Sequence, residues 1–293
     1  FIKNTVLLFV LTLLSCRNNS NSQSLVSNKS AVILGAQQTE YYLPILKNKN
    51  IGIVANQTSV IFKTTGSTHL VDSLLSLNIK VKKVFAPEHG FRGTADAGEY
   101  VTDGIDAGSG IPIVSLYGAN KIPDAAILSD LEVVIFDIQD VGARFYTFLS
   151  TLHYMMETCA KLGITVLVLD RPNPNGHYVD GPTLDLNHSS FVGVHPVPVV
   201  HGMTVGEYAQ MINGEGWLKE GLKCDLKVIP IRNYTHSTTY QLPINPSPNL
   251  PNSKAINLYP SLCFFEGTNM SMGRGTENQF QVIGSPYLKG DLY

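Results

Sequence analysis

Cysteine is scarce. Four occur in 293 residues, at 16, 159, 224 and 263, and no two lie at ligand or redox spacing, so neither a disulfide framework nor a cysteine metal centre is implied. No Gly-x-Gly-x-x-Gly or Walker loop follows the first predicted strand, which removes the usual cradle for a nucleotide or dinucleotide phosphate. Gly273-Arg274-Gly275 does not open an apolar helix, so it is no substitute. There is no Gly-x-Ser-x-Gly elbow for a serine nucleophile and no His-x-x-x-His pair for zinc. A metal would need His89, His177 and His201 to converge with Asp140 from separate loops, and no metal or cofactor is expected. Charge is low and balanced, 15% of residues with a net of −2, which argues against nucleic acid or another polyanion as partner. What is present is enough chain, 44% hydrophobic, for one large or two modest domains with real cores.

The first 16 residues read as a targeting segment. Lys3 precedes an apolar run over residues 6–14 that is too short to span a bilayer, and Leu13-Leu14-Ser15-Cys16 follows it. That order resembles a bacterial lipoprotein signal with Cys16 as the acylated residue; a plain secretory signal or a short buried helix is the alternative. Residues 17–30, rich in Asn and Ser, read as a flexible tether. The expectation is a lipid-anchored protein of the bacterial cell envelope, periplasmic or outer-membrane associated. The chain opens on Phe1 and closes without an evident terminal element, so a piece cut at both ends is expected.

Short apolar, β-branched runs alternate with helical spacing from residue 31 to about 200. Strands are predicted at 51–56, 81–86, 113–116, 131–138 and 164–169. Thr68 is placed to cap a helix carrying Leu70, Val71, Leu74 and Leu75. Phe148, Leu149, Leu152, Met155, Met156, Cys159 and Leu162 share helical spacing, with Gly163 as terminator. Strand, helix, strand repeated predicts an α/β fold: a Rossmann-like open parallel sheet with flanking helices over 31–200. A smaller α+β subdomain, incomplete at its C-terminus, is expected over 201–293. It holds a helix capped by Thr204 with Glu207 in a capping box, and a strand at 226–231. The four prolines of residues 243–251 mark a linker or an ordered surface loop.

Open parallel sheets bind ligands outside the carboxyl ends of their strands. Asn56, Glu88-His89, Asp137 to Asp140 and Asp170-Arg171-Asn173 all fall at such predicted ends. Pro87 stops the strand before Glu88, His89 and Arg92, among glycines that tolerate unusual backbone angles. Leu262-Cys263-Phe264-Phe265 repeats the pattern as an apolar run closed by Glu266 and Gly267. Two carboxyls across a cleft are what glycosidic cleavage needs, one protonated and one ionised. Arg92, Arg144 and Arg274 suit a substrate carboxylate, and Tyr100, Tyr117 and Tyr146 suit a sugar face. A two-lobed crevice serves equally for a lipoprotein that binds glycans or muropeptides without chemistry.

Four separated blocks resemble one family. They are Ala86-Pro87-Glu88-His89-Gly90-Phe91-Arg92-Gly93; Phe136-Asp137-Ile138-Gln139-Asp140-Val141-Gly142-Ala143-Arg144-Phe145-Tyr146-Thr147; Asp170-Arg171-Pro172-Asn173-Pro174; and Phe265-Glu266-Gly267-Thr268-Asn269 with Gly273-Arg274-Gly275-Thr276. The resemblance, over residues 31–288, is to the NamZ-like exo-β-N-acetylmuramidases. It implies a cleft between a Rossmann-like domain and a smaller one, and release of terminal N-acetylmuramic acid from the non-reducing end of peptidoglycan fragments. Glu88 is expected as principal acid with Glu266 or Asp140 as partner. Asn56, His89, Arg92, Asp137, Arg144, Tyr146, Arg171, Asn173, Asn269 and Arg274 are expected to hold the peptidoglycan-derived sugar. The acetamido group leaves substrate assistance open.

Overall fold

The computed structural model describes residues 31–92 and 102–289. The signal, the tether, Cys16, Gly93 and Tyr100 lie outside the described residues. In chain order the elements are α1 (Thr39–Leu46), β1 (Asn50–Ala55), β2 (Val60–Phe62), β3 (Ser67–His69), α2 (Leu70–Ser76), β4 (Lys80–Ala86), β5 (Gly104–Ile105) and β6 (Pro112–Ser115). They continue with α3 (Ala125–Leu128), β7 (Val133–Asp137), α4 (Phe148–Leu162), β8 (Thr165–Leu169), α5 (Val205–Gly214), β9 (Leu226–Ile229) and α6 (Ser253–Leu262).

Among the described residues seven strands form one sheet in the order β5-β6-β4-β1-β7-β8-β9. All pairs are parallel except β5 with β6, a two-residue antiparallel edge. The fold is α/β, as the alternation of runs predicts. β7 and β8 read as unbroken apolar runs because both of their faces are covered. Val133, Ile135, Leu167 and Leu169 turn to the side packed by α1 and α2. Val134, Phe136, Val166 and Val168 turn to the side packed by α4 and α5. α4 ends at Gly163 in the left-handed region, φ 69°, where a Cβ would be strained.

Two local expectations are corrected. α2 is capped by His69 instead of Thr68. The His69 Nδ1 accepts from the Val71 amide at 3.3 Å while Nε2 bonds the Asn56 carbonyl at 2.9 Å, which requires the Nε2–H tautomer. Thr68 belongs to the β2–β3 ribbon. Residues 262–265 are the end of one helix and the start of the next turn, not an extended run. Asn252 caps α6 through the Ala255 amide, and Ala255, Ile256 and Tyr259 bury one face of that helix.

β9 pairs in parallel with β8, so the sheet runs on past residue 200 to Ile229. β8 is buried along its whole length and needs a neighbour on each side, which β9 supplies. The described residues from Val32 onward group as one compact unit. Beyond β9 the described residues contain α6, a 3-10 helix over Cys263–Gly267 and an isolated bridge between Ser271 and Gly284.

Candidate active site

The Glu88 carboxylate is built by three adjacent segments. β4 ends at Ala86, and Pro87 opens a turn closed by the Gly90 amide on the Pro87 carbonyl at 3.0 Å. His89 and Gly90 both take positive φ, 70° and 78°, a conformation that costs a non-glycine residue on the order of 1 kcal/mol. That turn leaves Glu88 at the strand tip, half-buried. The Tyr117 hydroxyl, from the loop after β6, donates to Oε1 at 2.9 Å. The Thr147 hydroxyl donates to Oε2 at 3.1 Å. Thr147 occupies the N-cap of α4 yet makes no side-chain cap bond, because its hydroxyl serves Glu88 instead. A cap bond is ordinarily worth about 1 kcal/mol, so the helix end forgoes stability to orient the acid.

The opposite wall comes from residues 245–280. Pro260 lies inside α6, where its ring nitrogen cannot donate to the Ile256 carbonyl. That carbonyl accepts instead from Asn175 Nδ2 at 3.2 Å, and the same amide nitrogen donates to the Val141 carbonyl at 2.9 Å. Asn175 therefore joins α6 to the loop after β7. α6 runs into the 3-10 helix that carries Glu266, which is ion-paired with Arg274 at the rim. Partial burial raises the Glu266 pKa; Arg274 opposes that rise, and the charge of Glu88 adds to it.

Between the walls lies a cleft of about 820 Å³ lined by both Glu88 and Glu266, a size suited to a small ligand. Phe145 and Phe264 meet edge to face across 5.1 Å and give it an apolar surface. The two carboxyls are 178 positions apart in sequence (266 − 88) and share one hollow.

Six of the predicted site residues line this cleft: Glu88, His89, Tyr117, Tyr146, Glu266 and Arg274. The others do not. The connections after β1 and β7 leave in opposite directions, and the crevice expected there is filled by the protein's own polar groups. Asn56 Oδ1 accepts from Thr58 Oγ1 at 2.6 Å, and Thr58 Oγ1 accepts from the Gln139 amide at 3.0 Å. Asp137 is fully buried and takes Arg171 in a forked pair, at 2.6 and 3.0 Å. Arg92 makes the same kind of pair with Asp106, 3.1 and 2.7 Å, which holds that carboxyl below its usual range. Arg144 donates to the carbonyls of Pro182 and Val197. Asn173 donates to the Met203 carbonyl and accepts from the Asn175 amide. Asn269 is exposed outside the lining.

Asp140 also lies outside the lining, buried beneath it. Burial pushes its pKa up to about 7, against the Gly142 amide bonded to Oδ2 at 2.7 Å. His201 stands 3.9 Å away, too far to hydrogen-bond, and burial pushes its imidazole down to about 3. Its Nδ1 accepts from the Met203 amide, so the proton sits on Nε2. Burial raises the pKa of the Tyr146 hydroxyl, and the charges of Asp140 and Glu88 add to that rise. The histidines do not converge: His89 lines the cleft, His201 is buried behind it and His177 lines a separate hollow. Among the described residues no group of three or more His, Cys, Asp or Glu is placed to hold a metal.

Sequence reasoning missed several cleft residues. Thr147 was legible only as the end of the second block. Lys121 is an isolated lysine after the β6 tip, and Ser247, Asn249 and Leu250 sit in the proline-rich stretch. That stretch is an ordered wall, with Ser247 and Leu250 buried.

Residues 51–254 match the family described as exo-beta-N-acetylmuramidase NamZ, N-terminal, and residues 257–293 match its C-terminal counterpart. The peptidoglycan beta-N-acetylmuramidase NamZ of Bacillus subtilis (strain 168) is 41% identical over 254 residues, which are 85% of this chain and 60% of that protein. The chain thus spans 60% of the length of that relative. The crystal structure of a DUF1343 family protein from Bacteroides fragilis NCTC 9343 superposes with a TM-score of 0.80 at 52% identity, covering 89% of this chain and 69% of that one. A second DUF1343 family protein from the same strain gives 0.78 at 30% identity, over 89% and 67%. With the family models covering both walls of the cleft, the chain belongs to the exo-beta-N-acetylmuramidase NamZ family.

Proposed function

We propose that this protein is a glycosidase that releases terminal N-acetylmuramic acid from the non-reducing end of peptidoglycan fragments, with the bond cleaved in the cleft between Glu88 and Glu266. The observation that carries this is the sharing of one hollow by two carboxyls from opposite walls, one fixed by two hydroxyls and one raised by burial and by its neighbour's charge. Two carboxyls that repel each other hold one proton between them more readily than two separate acids. The pair then has what the reaction needs: a proton for the leaving oxygen and a negative charge for the cation-like centre that develops on the sugar. Glu88 is the principal catalytic carboxyl because its orientation is built by three segments, and Glu266 is its partner. His89, Tyr146 and Arg274 complete the substrate-facing surface, and no cofactor takes part.

Relatives named for the same activity support the reading. Glu88→Gln keeps the side chain's size but replaces the carboxyl with a neutral amide that can neither carry its negative charge nor pass a proton. A chromogenic β-N-acetylmuramide is expected to be hydrolysed about 100- to 10,000-fold more slowly by this variant, with its melting temperature unchanged. Full activity in Glu88→Gln sinks the proposal.

Lipid attachment at Cys16, with residence at the bacterial cell envelope, belongs to the same reading and is supported by the order of Lys3, apolar run and Leu-Leu-Ser-Cys. Metabolic labelling with an alkyne fatty acid is expected to mark the protein and to fail in Cys16→Ala. Equal labelling of both refutes it.

A further inference from the structure

We propose that Lys121 is the specificity residue that receives the substrate's carboxylate, the lactyl acid that distinguishes a muramic from a glucosamine ring; this rests on the muramidase reading above. Arginines were the expected partners of that carboxylate, and the structure engages them elsewhere. Arg92 is taken by Asp106, Arg171 by Asp137, and Arg144 by two backbone carbonyls. Arg274 does line the cleft, but its guanidinium is bound to Glu266 and lies over the Phe280 ring at 5.4 Å.

Lys121 is the other cation of the cleft lining. Among the described residues no carboxylate lies within 4.0 Å of its ammonium. Its Nζ stands 4.6 Å from the centroid of Phe191, a ring itself stacked parallel to Tyr154 at 6.2 Å. A ring face steadies an ammonium without consuming its three N–H donors, which stay available to an anion. The lysine follows a 3-10 turn over Gly118–Asn120, directly beyond Tyr117, which holds Glu88. One short segment therefore places the ammonium and orients the acid. A substrate anion entering a cleft that already contains Glu88 and Glu266 meets repulsion, and an uncommitted cation offsets it.

The test is a ligand-observed NMR titration of the unaltered protein, Lys121→Met and Lys121→Arg with N-acetylmuramic acid and with N-acetylglucosamine. Lys121→Met is expected to weaken N-acetylmuramic acid about tenfold or more, the scale of a charged hydrogen bond, and to leave N-acetylglucosamine unchanged. Lys121→Arg is expected to restore most of the loss. Equal N-acetylmuramic acid affinity in the unaltered protein and Lys121→Met overturns the proposal, as does absence of binding by the unaltered protein. Turnover of the chromogenic muramide, measured in parallel, separates the two readings. Lys121-dependent binding without any hydrolysis refutes the glycosidase reading alone, whereas hydrolysis and binding indifferent to Lys121→Met refute this inference alone.

Discussion

Replacing Arg171 by methionine separates a structural role from a substrate-binding one. Asp137, at the end of the central strand β7, is fully buried, and Arg171 is its partner at 2.6 and 3.0 Å. Methionine fills much of the arginine's volume but removes both bonds and leaves a carboxylate without a counter-charge. It also removes the 3.3 Å bond to the Val60 carbonyl. Breaking a buried pair from one side costs about 3–5 kcal/mol, a large part of the 5–15 kcal/mol typical of a folded domain. The melting temperature is expected to fall by about 6–20 °C. Urea unfolding at pH 7, followed by circular dichroism, measures the loss directly. The double variant Asp137→Asn/Arg171→Met is expected to be more stable than Arg171→Met alone, because no charge is then left in the interior. An Arg171→Met protein within about 1 kcal/mol of the unaltered one, but defective in turnover, refutes this reasoning and returns Arg171 to the substrate.

Removing the two hydroxyls on Glu88, as Tyr117→Phe with Thr147→Val, is expected to lower kcat by about tenfold or more. The melting temperature is expected to hold, since the Thr147 hydroxyl makes no cap bond; unchanged kcat counts against oriented Glu88. Gly142→Ala is expected to destabilise by about 1–3 kcal/mol in thermal melts, because φ is 77° and a Cβ meets the Asn173 side chain at 2.2 Å; an unchanged melt refutes the close fit. Asp140 keeps its proton to about pH 7 when folded but releases it near 4 when unfolded, so its contribution to stability falls as pH rises between those values. His201, held down at about 3, acts in the opposite sense between about 3 and 6.5, because the unfolded histidine binds the proton that the folded one refuses. Asp140→Asn removes only the falling slope, so the stability difference between variant and unaltered protein is expected to shift in the variant's favour from pH 4 to 7, by on the order of 4 kcal/mol at most. A difference that stays constant over that range refutes the raised carboxyl.

The runs over 51–56, 131–138 and 164–169 were legible as strands because both faces of the central parallel strands are buried, which forces largely apolar sequence, whereas 81–86 was legible from Val81 and Val84-Phe85-Ala86 although Lys82 between them is exposed. The capping box of α5 was legible because it is local, Thr204 and Glu207 answering each other three positions apart. The end of α6 was not legible as helix, because Pro260 and the short apolar run before Glu266 resemble a strand end. The group that lets a proline sit there, Asn175, is 81 positions away from the carbonyl it satisfies.

What the amino-acid sequence determined by itself was the α/β architecture, the strand tips that carry acids, and Glu88 with either Glu266 or Asp140 as the carboxyls to test. Periodicity and turn chemistry act over a few residues and leave a mark that can be read locally. Tertiary structure alone decided which of many polar tips face the cleft. Asp137 with Arg171 and Glu266 with Arg274 are both carboxylate–guanidinium pairs, yet one is buried in the interior while the other stands at the rim. That choice depends on which chain segments, distant in sequence, close over each tip. Thr58 and Ser59 close over the first, and α6 with its following turn leaves the second facing the cleft.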